Sequence, residues 1–361
     1  MEITGTRQRE AWLNKVQPPV ENVGEGLWSI PVVFPGNPMR YTLSYLLFSG
    51  PDYLVIDPGF DSPQGRLDLQ AGLRAAGVGL TDVTGIVATH FHTDHLGMAS
   101  WLRRRSGAWL ALGQAEQRHI SVFDDPAVES EADRARMRSW GVPEGRLDEA
   151  AMNVDKLMHL KQLADPDLRL GDGDAVPIHG RPLTVVETPG HTPGHICLRD
   201  AGREVFLSGD HVLPRISPNV SLEIRGDADP LRSCMESLGR LEAETHFEVL
   251  PAHEYRFRGL RDRVLALKSM NLERSEEVMR ELEAQGNPTV WSVASRLTWS
   301  RGFDSLGNLQ LRLALSETAA HLQYLRTSGV NHTVEGLPTA EPALIGTAHR
   351  GVGSNCAGLN C

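Results

Sequence analysis

The chain has 361 residues, with 36 Lys and Arg against 46 Asp and Glu, a formal net charge of −10. A hydrophobic share of 40% with 23% charged residues supports a real core and excludes a disordered or collagen-like chain, and the length allows one large domain plus a smaller one, or two. The acidic balance argues against a nucleic-acid partner, and no run of about 18 apolar residues offers a membrane span.

Residues 1–17 lack a basic head followed by an apolar run, so no signal peptide is expected. Four cysteines, Cys197, Cys234, Cys356 and Cys361, are too few for a disulfide scaffold and suit a reducing cytoplasm. Strands are expected at 26–33, 41–48 and 53–56, β-branched or aromatic runs bounded by Gly, Pro and Asp. A helix follows at 67–76, then an apolar strand at 84–89, a helix at 96–105 and a strand at 109–112. Strands interleaved with helices indicate an α/β layout. Residues 114–168 are charged, Met-rich and helical in pattern, and read as an insertion between two parts of the sheet. Strands return at 175–178, 183–187, 195–198, 205–208 and 248–250, with a helix at 230–241. After His253 the pattern becomes helical at 260–285, 289–298 and 309–327, a compact helical or winged-helix-like unit spanning 258–330. Residues 331–361, with the Cys356/Cys361 pair, read as a flexible tail. The catalytic domain is expected to span 20–257.

The informative stretch is Thr89-His90-Phe91-His92-Thr93-Asp94-His95-Leu96-Gly97. Three His and one Asp fall within six residues, between an apolar strand and a helix. Alternation puts His90 and His92 on one side of an extended segment. Asp94 and His95 fall where the chain turns and can face a second point close by, so one loop can serve two neighbouring ions. Imidazole and carboxylate donors suit zinc, iron or manganese. Three later residues repeat one grammar, an apolar strand followed by small or Pro residues and then a metal-capable side chain. They are His191 after Thr188-Pro189-Gly190, Asp210 after Ser208-Gly209, and His253 after Leu250-Pro251-Ala252. Sites in α/β folds gather at such strand ends.

The run from His90 to His95, with these residues in order after it, resembles the signature of the metallo-β-lactamase superfamily over roughly residues 25–255. The resemblance implies an α/β four-layer αβ/βα sandwich. It implies two divalent metal ions, with zinc first and iron or manganese as alternatives. One is held by His90, His92 and His191, the other by Asp94, His95 and His253, with Asp210 bridging. Asp57, in Ile56-Asp57-Pro58-Gly59, matches the early Asp that orients the metal-binding loop. Asp210 sets the chain apart from true β-lactamases and resembles the glyoxalase II, lactonase and nuclease branches. The Pro251-Ala252-His253-Glu254-Tyr255 run and the helical C-terminal unit resemble the β-lactamase-like protein 2 group and related acyl-carrier thioesterases, which carry a C-terminal winged-helix-like domain.

Two cations bridged by a carboxylate, about 3.5–4 Å apart, lower the pKa of a water held between them, giving a hydroxide at neutral pH. The expected function is therefore a dinuclear metal-dependent hydrolase that cleaves an acyl thioester or related small ester. A lactone or other ester hydrolase is the alternative, followed by a metal-dependent ribonuclease and an iron oxygenase. Asp94 is the candidate proton relay, although metal ligation competes with that role. His195 reads as a hydrogen bonder beside the ligands. His211, Trp140 and Met137 are candidate substrate contacts, the latter two with Met152, Leu157 and Met158 as an apolar lid or simply as packing. His119, His159, His179, His246, His321, His332 and His349 read as surface residues, Gly171–Asp174 as a hairpin turn and Arg103–Arg105 as a solvated helix end. The expected partner is a small acyl substrate, with neither nucleic acid nor membrane; a homodimer is the candidate assembly, and the cytoplasm the expected location.

Overall fold

A computed structural model describes residues 1–121, 125–152, 165–223, 226–286 and 288–330, together with 334 and 337. Two mixed sheets face each other. The first runs β2 (Glu21–Gly24), β3 (Leu27–Val33), β4 (Tyr41–Ser49), β5 (Asp52–Ile56), β6 (Gly85–Val87), β7 (Trp109–Gly113) and β8 (Leu168–Leu170). The second runs β1 (Glu2–Ile3), β13 (Phe257–Arg258), β12 (Glu248–Pro251), β11 (Val205–Gly209), β10 (Ile196–Asp200) and β9 (Leu183–Glu187).

Strand β4 shows how the sequence builds the layers. Leu43, Tyr45 and Leu47 point to one side and pack with Leu183, Val185, Ile196, Leu207 and Leu250 of the facing sheet. Leu46 points the other way, into a cluster with Ile30, Val32, Leu69 and Leu73 beneath the Pro63–Ala75 helix. This period of two, with both faces apolar, is the mark of a strand covered on both sides. Ser62 caps that helix by accepting from Gly65 N, with Pro63 at its first position. Gly72 lets it approach β3, since a Cβ there would lie 2.2 Å from Ile30 Cγ2. The outer face of the second sheet, including Phe206, Val249 and Phe257, is covered by the Pro230–Arg240 helix and the start of the Leu260–Glu283 helix. The order is helix, sheet, sheet, helix.

Parallel pairings β5–β6–β7–β8 and β11–β12 bring several strand C-termini to one edge. The segments after β5, β6, β9, β11 and β12 carry Asp57, His90–His95, His191, Asp210 and His253.

The structure departs from the sequence expectations at several points. Residues 175–178 form only a bridge between Ala175 and Thr184, as Pro177 and the turn at 179–180 interrupt pairing. The expected helix at 96–105 divides at Gly97–Met98 into Thr93–Leu96 and Ala99–Ser106. Residues before 20 join the fold, β1 by pairing with β13 and the Thr6–Leu13 helix behind it. The 114–168 segment is not wholly peripheral, because it ends in β8 of the first sheet.

Helices of that segment, Pro126–Ser139 and Leu147–Ala150, share one core with the C-terminal helices Leu260–Glu283, Val290–Ala294 and Asn308–Thr327. Asp133 pairs with both Arg136 and Arg312 across this junction. No strand follows β13 among the described residues, so the C-terminal unit is helical there without a β wing. No helix of the described residues is long and apolar enough to cross a membrane. Cys197 and Cys234 are buried free thiols, whereas Cys356 and Cys361 lie outside the described residues.

Candidate metal centre

The seven residues expected as ligands converge although they come from four separate strand ends. Three sets have ligand atoms within 4.8 Å of one another: His90, His92 and His191; His90, His95 and Asp210; and Asp94, His95 and His253. Asp210 joins the halves, with Oδ2 at 3.5 Å from His95 Nε2 and 3.6 Å from His191 Nε2, and Oδ1 at 3.3 Å from His253 Nε2. Asp94 Oδ2 lies 3.3 Å from His253 Nε2 and 3.5 Å from His95 Nε2.

Hydrogen bonds on the far side of the imidazoles decide which nitrogen faces inward. A carbonyl or carboxylate can only accept, so the nitrogen against it carries the proton and the other keeps its lone pair. His253 Nδ1 donates to Tyr41 O at 2.9 Å, His191 Nδ1 to Asn219 O at 2.7 Å, and His95 Nδ1 to Asp57 Oδ2 at 2.9 Å. His90 Nδ1 lies 3.0 Å from Thr89 Oγ1, whose hydroxyl donates to Asp57 Oδ2 at 2.9 Å. In the neutral form, the one that binds a metal, all four Nε2 atoms therefore present lone pairs inward. His92 differs, since its Nδ1 faces the centre, 2.9 Å from His90 Nε2 and 3.1 Å from His191 Nε2.

This arrangement fits cations. Imidazole lone pairs facing one another at such distances repel unless a proton or a metal lies between them. His95 Nε2 and Asp210 Oδ1 are also buried without a hydrogen-bond partner among the described residues, a state that costs free energy unless a ligand satisfies it. Burial, and then His191, push His92 down to about 4, and burial with His95 holds His90 well below the usual imidazole range. Burial opposes the charge on His253, yet Asp210 and Asp94 outweigh it and lift that imidazole to about 10. Burial alone would raise both carboxyl groups, but the neighbouring imidazoles, His95 foremost for Asp94 and His253 for Asp210, hold both well below the usual carboxylate range. Burial opposes charge on His95 too, yet Asp210, Asp94 and Asp57 lift it well above the usual imidazole range. The pocket thus combines two neutral imidazoles, His90 and His92, with ionised carboxylates that draw positive charge onto His95 and His253.

Asp57 does more than orient His95. In the left-handed backbone region, with φ of 50°, it turns its carboxylate back to accept from Thr89 N at 2.7 Å. His195 stands beside Asp210: its Nδ1 donates to Thr188 Oγ1 at 2.7 Å and its Nε2 accepts from Asp210 N at 3.1 Å. His211 is buried, with neither ring nitrogen hydrogen-bonded among the described residues, and burial together with His191 pushes it down to about 3. It offers no exposed surface to a substrate in this conformation.

Trp140 and Met137 require correction as substrate contacts. Both are fully buried in the helical core, packed with residues such as Val290, Leu311 and Leu315. The apolar face of their helix is spent on the C-terminal helices, so no lid is formed from it. Leu157 and Met158 lie outside the described residues. His119 and His321 also depart from expectation, being buried and bonded to Glu223 Oε2 at 3.0 Å and Ser275 Oγ at 2.8 Å.

Glu116 went unnoticed in the sequence. It is fully buried in the Gln114–Ser121 helix, and its two oxygens accept from Phe91 N at 2.8 Å and Gly194 N at 2.7 Å. One carboxylate thus ties the loop bearing His90 and His92 to the loop bearing His191. Burial raises its pKa to about 7 against these bonds. Gly194 permits the approach, because a Cβ there would lie 1.9 Å from Glu116 N. The available signal was positional: Glu116 follows β7 as Asp57 follows β5.

Residues 38–253 match the family model described as the metallo-beta-lactamase superfamily. The acyl-coenzyme A thioesterase MBLAC2 of Bos taurus is 33% identical over 131 residues, 35% of this chain and 40% of that protein, so the match spans less than half of that relative. The probable metallo-hydrolase YqjP of Bacillus subtilis is 26% identical over 298 residues, 77% of this chain and 86% of its own length. Among solved structures, the metallo-beta-lactamase family protein TTHA1429 from Thermus thermophilus superposes with a TM-score of 0.72 at 28% identity. That match covers 85% of this chain and 95% of the other.

Proposed function

This chain belongs to the metallo-β-lactamase superfamily, and from that premise we propose that it is a dinuclear metal-dependent hydrolase that cleaves an acyl thioester or a closely related small ester. The observation that carries the reading is the pairing of a three-imidazole set, His90, His92 and His191, with an Asp94, His95 and His253 set through Asp210. Two divalent cations held by these residues, zinc first among them, would supply Lewis acidity and a water ionised near neutral pH.

The chain's own groups do the rest. Asp57, Thr89, Tyr41 O and Asn219 O lock the imidazoles in the tautomers that face inward, so little reorganisation accompanies binding. Asp94, beside His253 and His95, is the carboxylate proposed to pass a proton toward a departing atom. A thiolate departs without a proton, so a thioester asks least of that group and an amide most. The relative named as an acyl-coenzyme A thioesterase supports the same substrate class.

The test is a panel of acyl thioesters read by free-thiol release, with lactones, oxygen esters and RNA alongside, on metal-loaded and chelator-treated protein. Thiol release that disappears with chelator and returns with zinc, manganese or iron is the expected result. Turnover of a lactone with no thiol release from any thioester would replace this reading with the lactone or ester alternative.

A further inference from the structure

The segment between β11 and the Pro230–Arg240 helix crosses the His191 side of the centre, and both halves of the helical body grip it. Leu222 N donates to Ser316 O at 3.1 Å, from the Asn308–Thr327 helix, while Arg136 from the insertion donates to Leu222 O at 3.1 Å. Glu223 meets His119 at 3.0 Å. Four residues earlier, Asn219 O accepts from His191 Nδ1, and Asn219 Nδ2 donates to Glu317 Oε2 at 3.0 Å. Ser221 Oγ donates to Asn219 Oδ1 at 2.5 Å, fixing which end of that amide faces Glu317. Glu317 is itself steadied by Arg274, at 3.4 Å, from the Leu260–Glu283 helix.

We propose that Glu317 is a positioning residue: by clamping Asn219 it holds the carbonyl that fixes the tautomer and aim of His191, so that the C-terminal helices complete the three-imidazole half of the centre. This rests on the metal-centre reading above. A backbone carbonyl on a loop is held only as well as the loop is, and the carboxylate of Glu317 bonds the side chain of the residue that carries this carbonyl. The helical unit is thus coupled to cation binding through a path of three residues, and outer partners of metal-binding imidazoles typically govern affinity by roughly 10–100-fold.

The test compares wild type with Glu317→Leu, Glu317→Gln and Asn219→Ala by zinc titration against a competing chelator, together with thermal melting of the metal-free proteins. Glu317→Leu is expected to weaken the binding of one zinc equivalent about tenfold or more, with a melting temperature close to wild type. Glu317→Gln keeps an acceptor oxygen for Asn219 Nδ2 and is expected to stay within about threefold. Asn219→Ala, at a half-buried loop position, removes the same link without altering the helix. It is expected to match Glu317→Leu, and the double variant to add nothing further. Zinc affinity in Glu317→Leu and Asn219→Ala equal to wild type would overturn the inference. Equal losses in the Gln and Leu variants, or additive losses in the double variant, would do so too. A wild-type protein that binds no zinc would overturn the metal-centre reading itself, a separate result.

Discussion

Asp57 and His95, 38 positions apart, are joined by a 2.9 Å hydrogen bond from an imidazole Nδ1 to a buried carboxylate that also holds Thr89 through its N–H and its hydroxyl. One side chain therefore sets the tautomer of His95 and, through Thr89, of His90. Asp57→Ala frees both rings at once. Zinc affinity is expected to fall by about 10–100-fold, measured by chelator competition, with activity at saturating zinc recovering only in part. Unchanged affinity would mean that the two rings are held by packing alone.

Glu116 makes a different prediction, one of stability. Glu116→Ala leaves Phe91 N and Gly194 N buried without their acceptor, at about 1–3 kcal/mol each. Denaturant unfolding is expected to show a loss of roughly 2–6 kcal/mol on the same basis. Glu116→Gln is expected to recover only part of it, because its amide has one oxygen and its NH2 faces a second donor. A variant as stable as wild type would show that water replaces the carboxylate.

Trp140 belongs to the core shared by the insertion and the C-terminal helices, where its carbonyl also accepts from Trp291 N at 2.8 Å. Trp140→Ala is expected to cost about 3–5 kcal/mol and to lower the melting temperature of both helical segments together. The KM of the folded enzyme should stay near the wild-type value; a large rise in KM without loss of stability would return Trp140 to the substrate site.

His321, paired with Ser275 Oγ, is pushed down to about 3 by burial and then by Arg274. Its folded value lies below the unfolded one of about 6.5. The neutral ring is therefore fully accommodated above about pH 6.5, and stability is lost as pH falls toward about 3. At about 1.36 kcal/mol per pH unit the loss is on the order of 4–5 kcal/mol across that window. His321→Gln should flatten this part of the stability curve. An acid slope identical to that of wild type would assign the loss to other groups.

The candidate ligands were legible because chemistry and periodicity coincide in them. Four lie within six consecutive positions, and His191, Asp210 and His253 each follow an apolar strand. The aromatic and apolar run at 41–48 likewise announced strand β4, observed at Tyr41–Ser49. Other parts left no such mark. Asn219 acts through its carbonyl, which every residue possesses. Glu116 looks like any helical Glu until Phe91 N and Gly194 N are found at its oxygens. Met137 and Trp140 mark an apolar helix face, but a face does not name its partner, and here that partner lies about 150 residues further along the chain. Strand β1 has two residues, too few for any pattern.

The most direct measurement is the metal content of the purified chain after equilibrium dialysis against dilute zinc, for wild type and Asp210→Ala side by side. Two zinc ions per wild-type chain are expected, falling to one or fewer when the shared carboxylate is removed. No bound zinc in wild type, or two ions retained with equal affinity in Asp210→Ala, would contradict a paired centre joined by Asp210.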